Sequence, residues 1–144
     1  MPGPGGAGLF GAPRPWTLGR GGTILETVKV FRVMANLPVA DIDAAKGFYT
    51  DFLGLGTEDF NLGWVARYTS PETGANVQLV THDATAAQDS DISVHVDDVE
   101  GAYAEAQRRG YEIVHPLTTE ERGVHRFLVR APDGTVVNLV EHHD

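Results

Sequence analysis

The chain of 144 residues carries a net charge of −9, no cysteine, and no apolar run near the roughly 20 residues that span a bilayer. One domain is therefore expected, without disulfides, thiolate metal sites or cysteine nucleophiles, and the composition fits a cytoplasmic protein with no membrane partner. Residues 34–144 carry nineteen acidic and seven basic residues, which disfavours nucleic acid as a partner and favours a cationic ligand.

The first segment of the chain is rich in glycine and proline. Eight of residues 1–22 are glycine and four are proline. Such a segment buries too little apolar surface to offset the entropy lost on ordering. We therefore predict a disordered leader over residues 1–26. The rest, residues 27–144, is predicted to be a single domain made of two modules, 27–82 and 90–143.

The first module begins with a β-rich run, TVKVFRVMANLPV, which predicts a strand that ends at Pro38. Asp41 is the predicted cap of a helix over 42–53, where apolar residues recur at helical spacing before Gly54. EDFNLG (58–63) is interpreted as a polar loop. The stretches 63–70 and 75–82 then form a predicted hairpin across the SPETG turn.

The second module repeats this order. DISVHV (91–96) alternates as a strand, and Asp98 caps a helix predicted over 99–110. A short strand over 111–114 and a loop over 116–123 follow. The stretches 124–131 and 135–143 form a hairpin across the PDG turn.

The two modules are an internal repeat with the order β-α-β-β-β. LPVADI (37–42) matches VHVDDV (94–99), and SPETGANVQLV (70–80) matches APDGTVVNLV (131–140) with one gap. In this alignment Gln78 falls on Asn138. Neither half of about 50 residues is expected to fold alone, so the two sheets should pair and form a cleft between them.

This repeat resembles the vicinal oxygen chelate superfamily, also called the glyoxalase/bleomycin resistance/dioxygenase family. The residues that carry the resemblance are LPVADIDAAKGFYTDFLGLG (37–56) and RAPDGTVVNLVEH (130–142). The resemblance implies an α+β fold in which paired βαβββ modules form a curved sheet around a cavity. It also implies a homodimer.

Metal-dependent members of this family place four ligands in the cavity, on the first and last strand of each module. Carried across by motif register, these positions are Met34, Gln78, Asp91 and Asn138. Methionine, glutamine and asparagine are poor ligands for a catalytic divalent ion, so no metal or other cofactor is expected. A set made of Gln78, Asp91 and His95 is kept as an alternative metal site, since these side chains alternate onto one face.

The cavity is predicted to bind a small organic ligand. The residues expected to line it are Met34, Asn36, Trp64, Gln78, Asp91, Ser93, His95, Phe127 and Asn138. Trp64 is either a core anchor or a stacking platform, and Phe60 is placed to cover the mouth. His82 and His142 are expected at strand ends in solvent. Arg67 and Arg126 are expected to point to solvent unless they hold an anion.

The resemblance to bleomycin-resistance-type proteins implies sequestration of an antibiotic or another organic ligand without a metal. The alternative is a lyase, isomerase or dioxygenase of the lactoylglutathione-lyase type that uses an unconventional metal set. No catalytic residue is assigned. Asp91 is the one candidate, as a general base whose pKa burial would raise.

Overall fold

The computed structural model describes residues 28–142, so the predicted leader lies outside the described residues. The first module contains β1 (Val30–Pro38), α1 (Ile42–Gly47), a π-helical turn (Phe48–Phe52), β2 (Thr57–Asn61), β3 (Val65–Thr69) and β4 (Asn76–Val80). The second contains β5 (Ile92–Val96), α2 (Val99–Arg108), β6 (Glu112–Thr119), a 3₁₀ turn (Glu121–Gly123), β7 (Val124–Arg130) and β8 (Val136–His142).

The predicted paired βαβββ modules are confirmed. All eight strands form one curved sheet in the order β2-β3-β4-β1-β5-β8-β7-β6. The modules meet where β1 pairs antiparallel with β5, and Met34 lies opposite Ser93. Each first strand also pairs in parallel with the last strand of its own module, β1 with β4 and β5 with β8. The four strands that bear the predicted site therefore lie side by side at the centre of the sheet.

The helices cover one face of the sheet. Side chains alternate across a strand, so Val94 and Val96 of β5 pack under α2 while Ser93 and His95 point to the opposite face. A second apolar cluster beneath α1 contains Ile42, Leu55, Ala66, Tyr68 and Leu79. The face away from both helices is left for the cavity.

Both helices begin at the predicted aspartates. The Asp41 carboxylate accepts a hydrogen bond from the Asp43 N–H, and the Asp98 carboxylate accepts one from the Gly101 N–H, each at 3.0 Å. The Glu141 side chain on β8 accepts a further bond from the Val99 N–H at 2.8 Å. These bonds satisfy amides that a helix N-terminus leaves unpaired and fix α2 against the sheet.

Three boundaries differ from the sequence-based expectation. Residues predicted as a polar loop form β2, a mostly exposed edge strand without an apolar alternation. β6 continues to Thr119 through Pro116, which an edge strand tolerates because its outer side has no ladder to complete. The predicted first helix is split, since the Leu53 N–H bonds to the Phe48 carbonyl as a π-helical turn. In residues 28–142, no helix is long and apolar enough to cross a membrane.

Candidate functional site

A cavity of about 360 Å³ opens on the helix-free face, between the two modules. This volume is at the small end of the range for sites that bind organic ligands, roughly 300–1,000 Å³. The lining includes aromatic, aliphatic, amide and charged side chains from both modules: Asp59, Phe60, Leu62, Trp64, Val65, Arg67, Gln78, Ala84, Thr85, Ser93, His95, Glu120, Glu121, Val124, Arg126, Asn138, Val140 and His142.

Five of the residues predicted to line the cavity do so: Trp64, Gln78, Ser93, His95 and Asn138. Asn36 is buried beside them and is joined to Gln78 and Ser93 by hydrogen bonds. Gln78 and Asn138, which the repeat aligns with each other, therefore both lie in the cavity lining. The side chains that meet them from the first strands are Asn36 and Ser93.

The first-strand register differs from the expected one by two residues. Counting back from Val39 and Val96 selects Met34 and Asp91. In the structure, Gln78 is paired with Asn36 instead. In the second module, Asn138 is paired with Ser93. Met34 is buried without lining the cavity. A shift of two residues keeps a side chain on the same face of a strand, which is why periodicity alone does not reveal it.

Asp91 does not reach the cavity. It precedes β5 and is exposed, and its Oδ2 accepts a hydrogen bond at 2.8 Å from the N–H of Val136, the first residue of β8. This bond extends the pairing between β5 and β8, which gives Asp91 a structural role. The alternative metal set of Gln78, Asp91 and His95 is therefore not brought together.

Phe127 also lies elsewhere. It is fully buried on the helix-facing side of β7, where its ring makes an edge contact with Tyr103 of α2 at a centroid distance of 5.0 Å. Its neighbour Arg126 points to the cavity instead. Phe127 is therefore part of the core, and Arg126 lines the cavity where the sequence analysis had placed Phe127.

The floor of the cavity is a network of neutral polar side chains. Gln78 Nε2 donates to Asn36 Oδ1 at 2.7 Å, and Asn36 Nδ2 donates to Ser93 Oγ at 3.0 Å. Asn138 Nδ2 donates to the same Ser93 Oγ at 3.2 Å. This amide network (Asn36, Gln78, Ser93 and Asn138) joins β1, β4, β5 and β8 by side-chain bonds.

Arg67 of β3 anchors one end of the amide network. Its Nε donates to Gln78 Oε1 at 3.1 Å, and its Nη2 lies 3.5 Å from His95 Nε2 across the module boundary. Its guanidinium also lies over the Phe60 ring, 4.8 Å from the centroid. The expectation that this side chain points to solvent is wrong, because cavity-facing acceptors and an aromatic ring hold it inward.

His95 is a neutral imidazole at physiological pH. Burial, followed by the positive charges of Arg67 and Arg32 and the nearby His142, lowers the pKa of His95 to about 4. Its ring stacks on that of His142 at a centroid distance of 6.3 Å. His142 is exposed at the end of β8, and the side chain of His82 is 91% exposed, as the sequence predicts for both.

The wall of the cavity beside Trp64 is held by a buried charge cluster. The Arg126 guanidinium binds both oxygens of Asp83 at 2.7 and 2.8 Å and Glu120 Oε2 at 2.9 Å, and it lies 6.0 Å from the Trp64 ring. Burial raises the pKa of Asp83, but Arg126 and the N–H groups of Ala86 and Thr85 outweigh it, so the pKa lies below its usual value. Two carboxylates therefore face one guanidinium.

The side chains at the floor do not fit a divalent metal. The amide network offers three amides and one hydroxyl, all neutral, whereas such ions prefer imidazole and carboxylate donors. The guanidinium of Arg67, already bonded to Gln78, would also repel a cation placed there. In the part of the chain that the structure describes, no three histidine, aspartate or glutamate side chains are grouped as a metal site.

Comparisons with known proteins agree with this architecture. Residues 29–139 match the family model of the Glyoxalase/Bleomycin resistance protein/Dioxygenase superfamily. Methylmalonyl-CoA epimerase from Mycobacterium tuberculosis is similar in structure, with a TM-score of 0.63, 21% identity, and coverage of 83% of this chain and 93% of that one. A superfamily member from Vibrio splendidus 12B01 gives a TM-score of 0.55 at 20% identity, covering 80% and 99%.

Homoprotocatechuate 2,3-dioxygenase from Brevibacterium fuscum gives a TM-score of 0.61 at 21% identity and covers 92% of this chain, which spans 36% of that enzyme. No curated protein sequence matches the chain. Structural likeness at such identities concerns the fold, whereas the family match extends over most of the sequence. The chain belongs to the glyoxalase/bleomycin resistance protein/dioxygenase superfamily.

Proposed function

We propose that this protein binds a small organic molecule in the cavity between its modules, without a metal ion. The observation that carries the proposal is the amide network at the floor. Its side chains are neutral, bonded to one another and joined to the Arg67 cation. Such a floor suits the recognition of a neutral polar group, and it is a poor site for a Lewis acid.

The charges around the cavity favour a ligand with a cationic group. Asp59, Glu120 and Glu121 contribute carboxylates to the lining, against the guanidinium groups of Arg67 and Arg126. Arg126 is already matched by Asp83 and Glu120, so it brings no net positive charge. Asp59 and Glu121 are exposed in the lining, and their carboxylates form an acidic rim that would attract an amine or another cation.

The rest of the lining supplies apolar contact area. Phe60, Leu62, Trp64, Val65, Val124 and Val140 come from both modules and surround the polar floor. An aromatic or aliphatic body of the ligand would be desolvated between them, while its polar groups meet the floor and the acidic rim. Aromatic amines and cationic antibiotics combine these properties, and sequestration of such a compound is the function we propose.

A binding screen tests the proposal directly. In the Trp16→Phe variant, Trp64 is the single tryptophan of the chain, so its fluorescence reports on the cavity. We would titrate metal-stripped protein with a panel of aromatic amines and cationic antibiotics in the presence of a chelator. Saturable quenching by a panel member, unchanged when divalent ions replace the chelator, is the expected result.

The matched control is the cavity-filling variant Ser93→Leu, whose added side chain would occupy the floor beside Asn138. Loss of quenching in this variant, with the folded circular dichroism spectrum retained, would locate binding in the cavity. Binding that appears only when a divalent ion is added would overturn the proposal. It would instead favour the lyase, isomerase or dioxygenase alternative.

A further inference from the structure

The hydrogen-bond direction of the amide network is determined at one end. Arginine can only donate, so Gln78 must turn Oε1 toward Arg67 and Nε2 toward Asn36. Asn36 then accepts through Oδ1 and donates through Nδ2 to Ser93. Ser93 Oγ donates to Asn36 Oδ1 at 3.4 Å, and Asn138 donates to Ser93 Oγ through Nδ2 at 3.2 Å.

The side-chain amides of Gln78 and Asn138, at equivalent positions of the two modules, therefore differ in their hydrogen bonding. In the first module both polar atoms of the Gln78 amide are bonded, Oε1 to Arg67 and Nε2 to Asn36. In the second module only Nδ2 of Asn138 is bonded. Asn138 Oδ1 is buried and has no hydrogen-bond partner among the described residues, although the side chain lies in the cavity lining and is 8% exposed.

A buried acceptor without a partner is costly, and folded proteins leave few of them. We infer that Asn138 Oδ1 is a ligand-recognition atom, and that the bound molecule presents an uncharged hydrogen-bond donor to it, such as a hydroxyl or an amide N–H. This inference rests on the proposed function, which it deepens by naming the group at the floor end of the ligand. The cationic group of the ligand would lie at the acidic rim.

A donor placed there satisfies Oδ1, while a ligand that offers only an acceptor or a hydrocarbon leaves it unpaired. Sites built around a hydrogen bond discriminate strongly against analogues that lack the group, for this reason. Gln78 provides the internal contrast, because its amide oxygen is held by Arg67 and the same argument assigns it no ligand contact.

Three probes of similar size test the inference by calorimetry with the full chain: 2-naphthol, naphthalene and 2-methoxynaphthalene. The first offers a donor, the second neither donor nor acceptor, and the third an acceptor alone. We expect 2-naphthol to bind at least about tenfold more tightly than the other two. In Asn138→Leu, which removes both polar atoms at similar volume, this preference should fall to within about twofold. In Asn138→Asp, which keeps an acceptor, the preference should persist.

Equal affinities of wild-type protein for the three probes would overturn the inference and leave the proposed function standing. A preference for 2-methoxynaphthalene, or a preference for 2-naphthol that survives in Asn138→Leu, would also overturn it. Failure of all three probes to bind would overturn the inference, since a donor that fits the cavity would then gain nothing from Asn138 Oδ1. The proposed function would still be decided by the panel of aromatic amines and cationic antibiotics. The wild-type comparison decides the question even if the leucine variant does not fold.

Discussion

Arg126 and Asp83 form a bidentate ion pair whose side chains are only 6% and 3% exposed. Asp83 begins the segment between the modules, and Arg126 lies on β7 of the second module, 43 positions away in the sequence. The Asp83 carboxylate also accepts from the N–H groups of Thr85 and Ala86, which folds the segment over the cavity. One pair therefore joins the linker, the second module and the cavity wall.

Breaking this pair should be costly. Asp83→Asn leaves the buried guanidinium with only part of its charge compensation, and we expect a loss of about 3–5 kcal/mol in the free energy of unfolding. Urea denaturation measures this loss. The control is Asp43→Asn, which removes an exposed ion pair with Lys46 at 3.3 Å and should change stability by less than about 1 kcal/mol. Similar effects of the two variants would contradict the structural role of Asp83.

His95 should make stability depend on pH in a defined window. Its pKa is about 4 in the folded protein, against 6.5 for an unperturbed histidine, so below pH 6.5 the unfolded chain binds more protons than the folded one. The contribution of His95 to the free energy of unfolding should therefore be fully present above pH 6.5, fall as the pH is lowered toward 4, and level off below pH 4. His95→Gln should remove this component. An imidazole that titrates near pH 6.5 in an NMR experiment on folded protein would contradict the prediction.

Two glycine substitutions in the helices should change the free energy of unfolding in opposite directions. A Cβ at Gly101 would lie 2.5 Å from the Oδ2 atom of Asp98, so Gly101→Ala should displace the cap of α2 and cost about 1 kcal/mol or more. A Cβ at Gly47 would meet nothing closer than Asp51 Oδ2 at 3.9 Å, in a helical conformation. Gly47→Ala should therefore stabilise by about 0.5–1 kcal/mol. Thermal unfolding distinguishes the two signs.

The homodimer that the family resemblance implies stays a prediction. The most exposed large apolar side chains include Phe52 at 75%, Phe31 at 62% and Val33 at 60%, and burying them between two chains would favour a dimer. We expect light scattering to give twice the 15.5 kDa of one chain and Phe52→Glu to lower the dimeric fraction. A monomer at micromolar concentration would contradict the expectation.

The repeat made the fold predictable, because apolar alternation in β3, β4, β5, β7 and β8 is enforced by burial on the helix side. β2 was not predicted, because both of its faces are mostly exposed and its residues, TEDFN, show no apolar alternation. The same holds for the end of β6, which follows a proline at the edge of the sheet. Edge strands are determined by pairing with a neighbour, and single-sequence patterns do not contain that information.

The site was predictable where the repeat reached it and not beyond. Gln78 and Asn138 follow from the aligned hairpins. The inward direction of the Arg67 side chain depends on Gln78 and His95. That of the Arg126 side chain depends on Asp83 and Glu120. Most of these partners are far away in the sequence. The first-strand positions differ from the expected ones by two residues in both modules, because side chains two residues apart lie on the same face of a strand and periodicity does not distinguish them.

The side chains that meet at the floor of the cavity should not hold a divalent ion. Untagged protein incubated in turn with Zn²⁺, Ni²⁺, Mn²⁺ and Fe²⁺, then desalted, should retain less than about a tenth of an equivalent of each ion per chain by mass spectrometry. Near-stoichiometric retention of one ion, lost in Gln78→Ala or Asn138→Ala, would contradict the account and place a metal centre at the amide network.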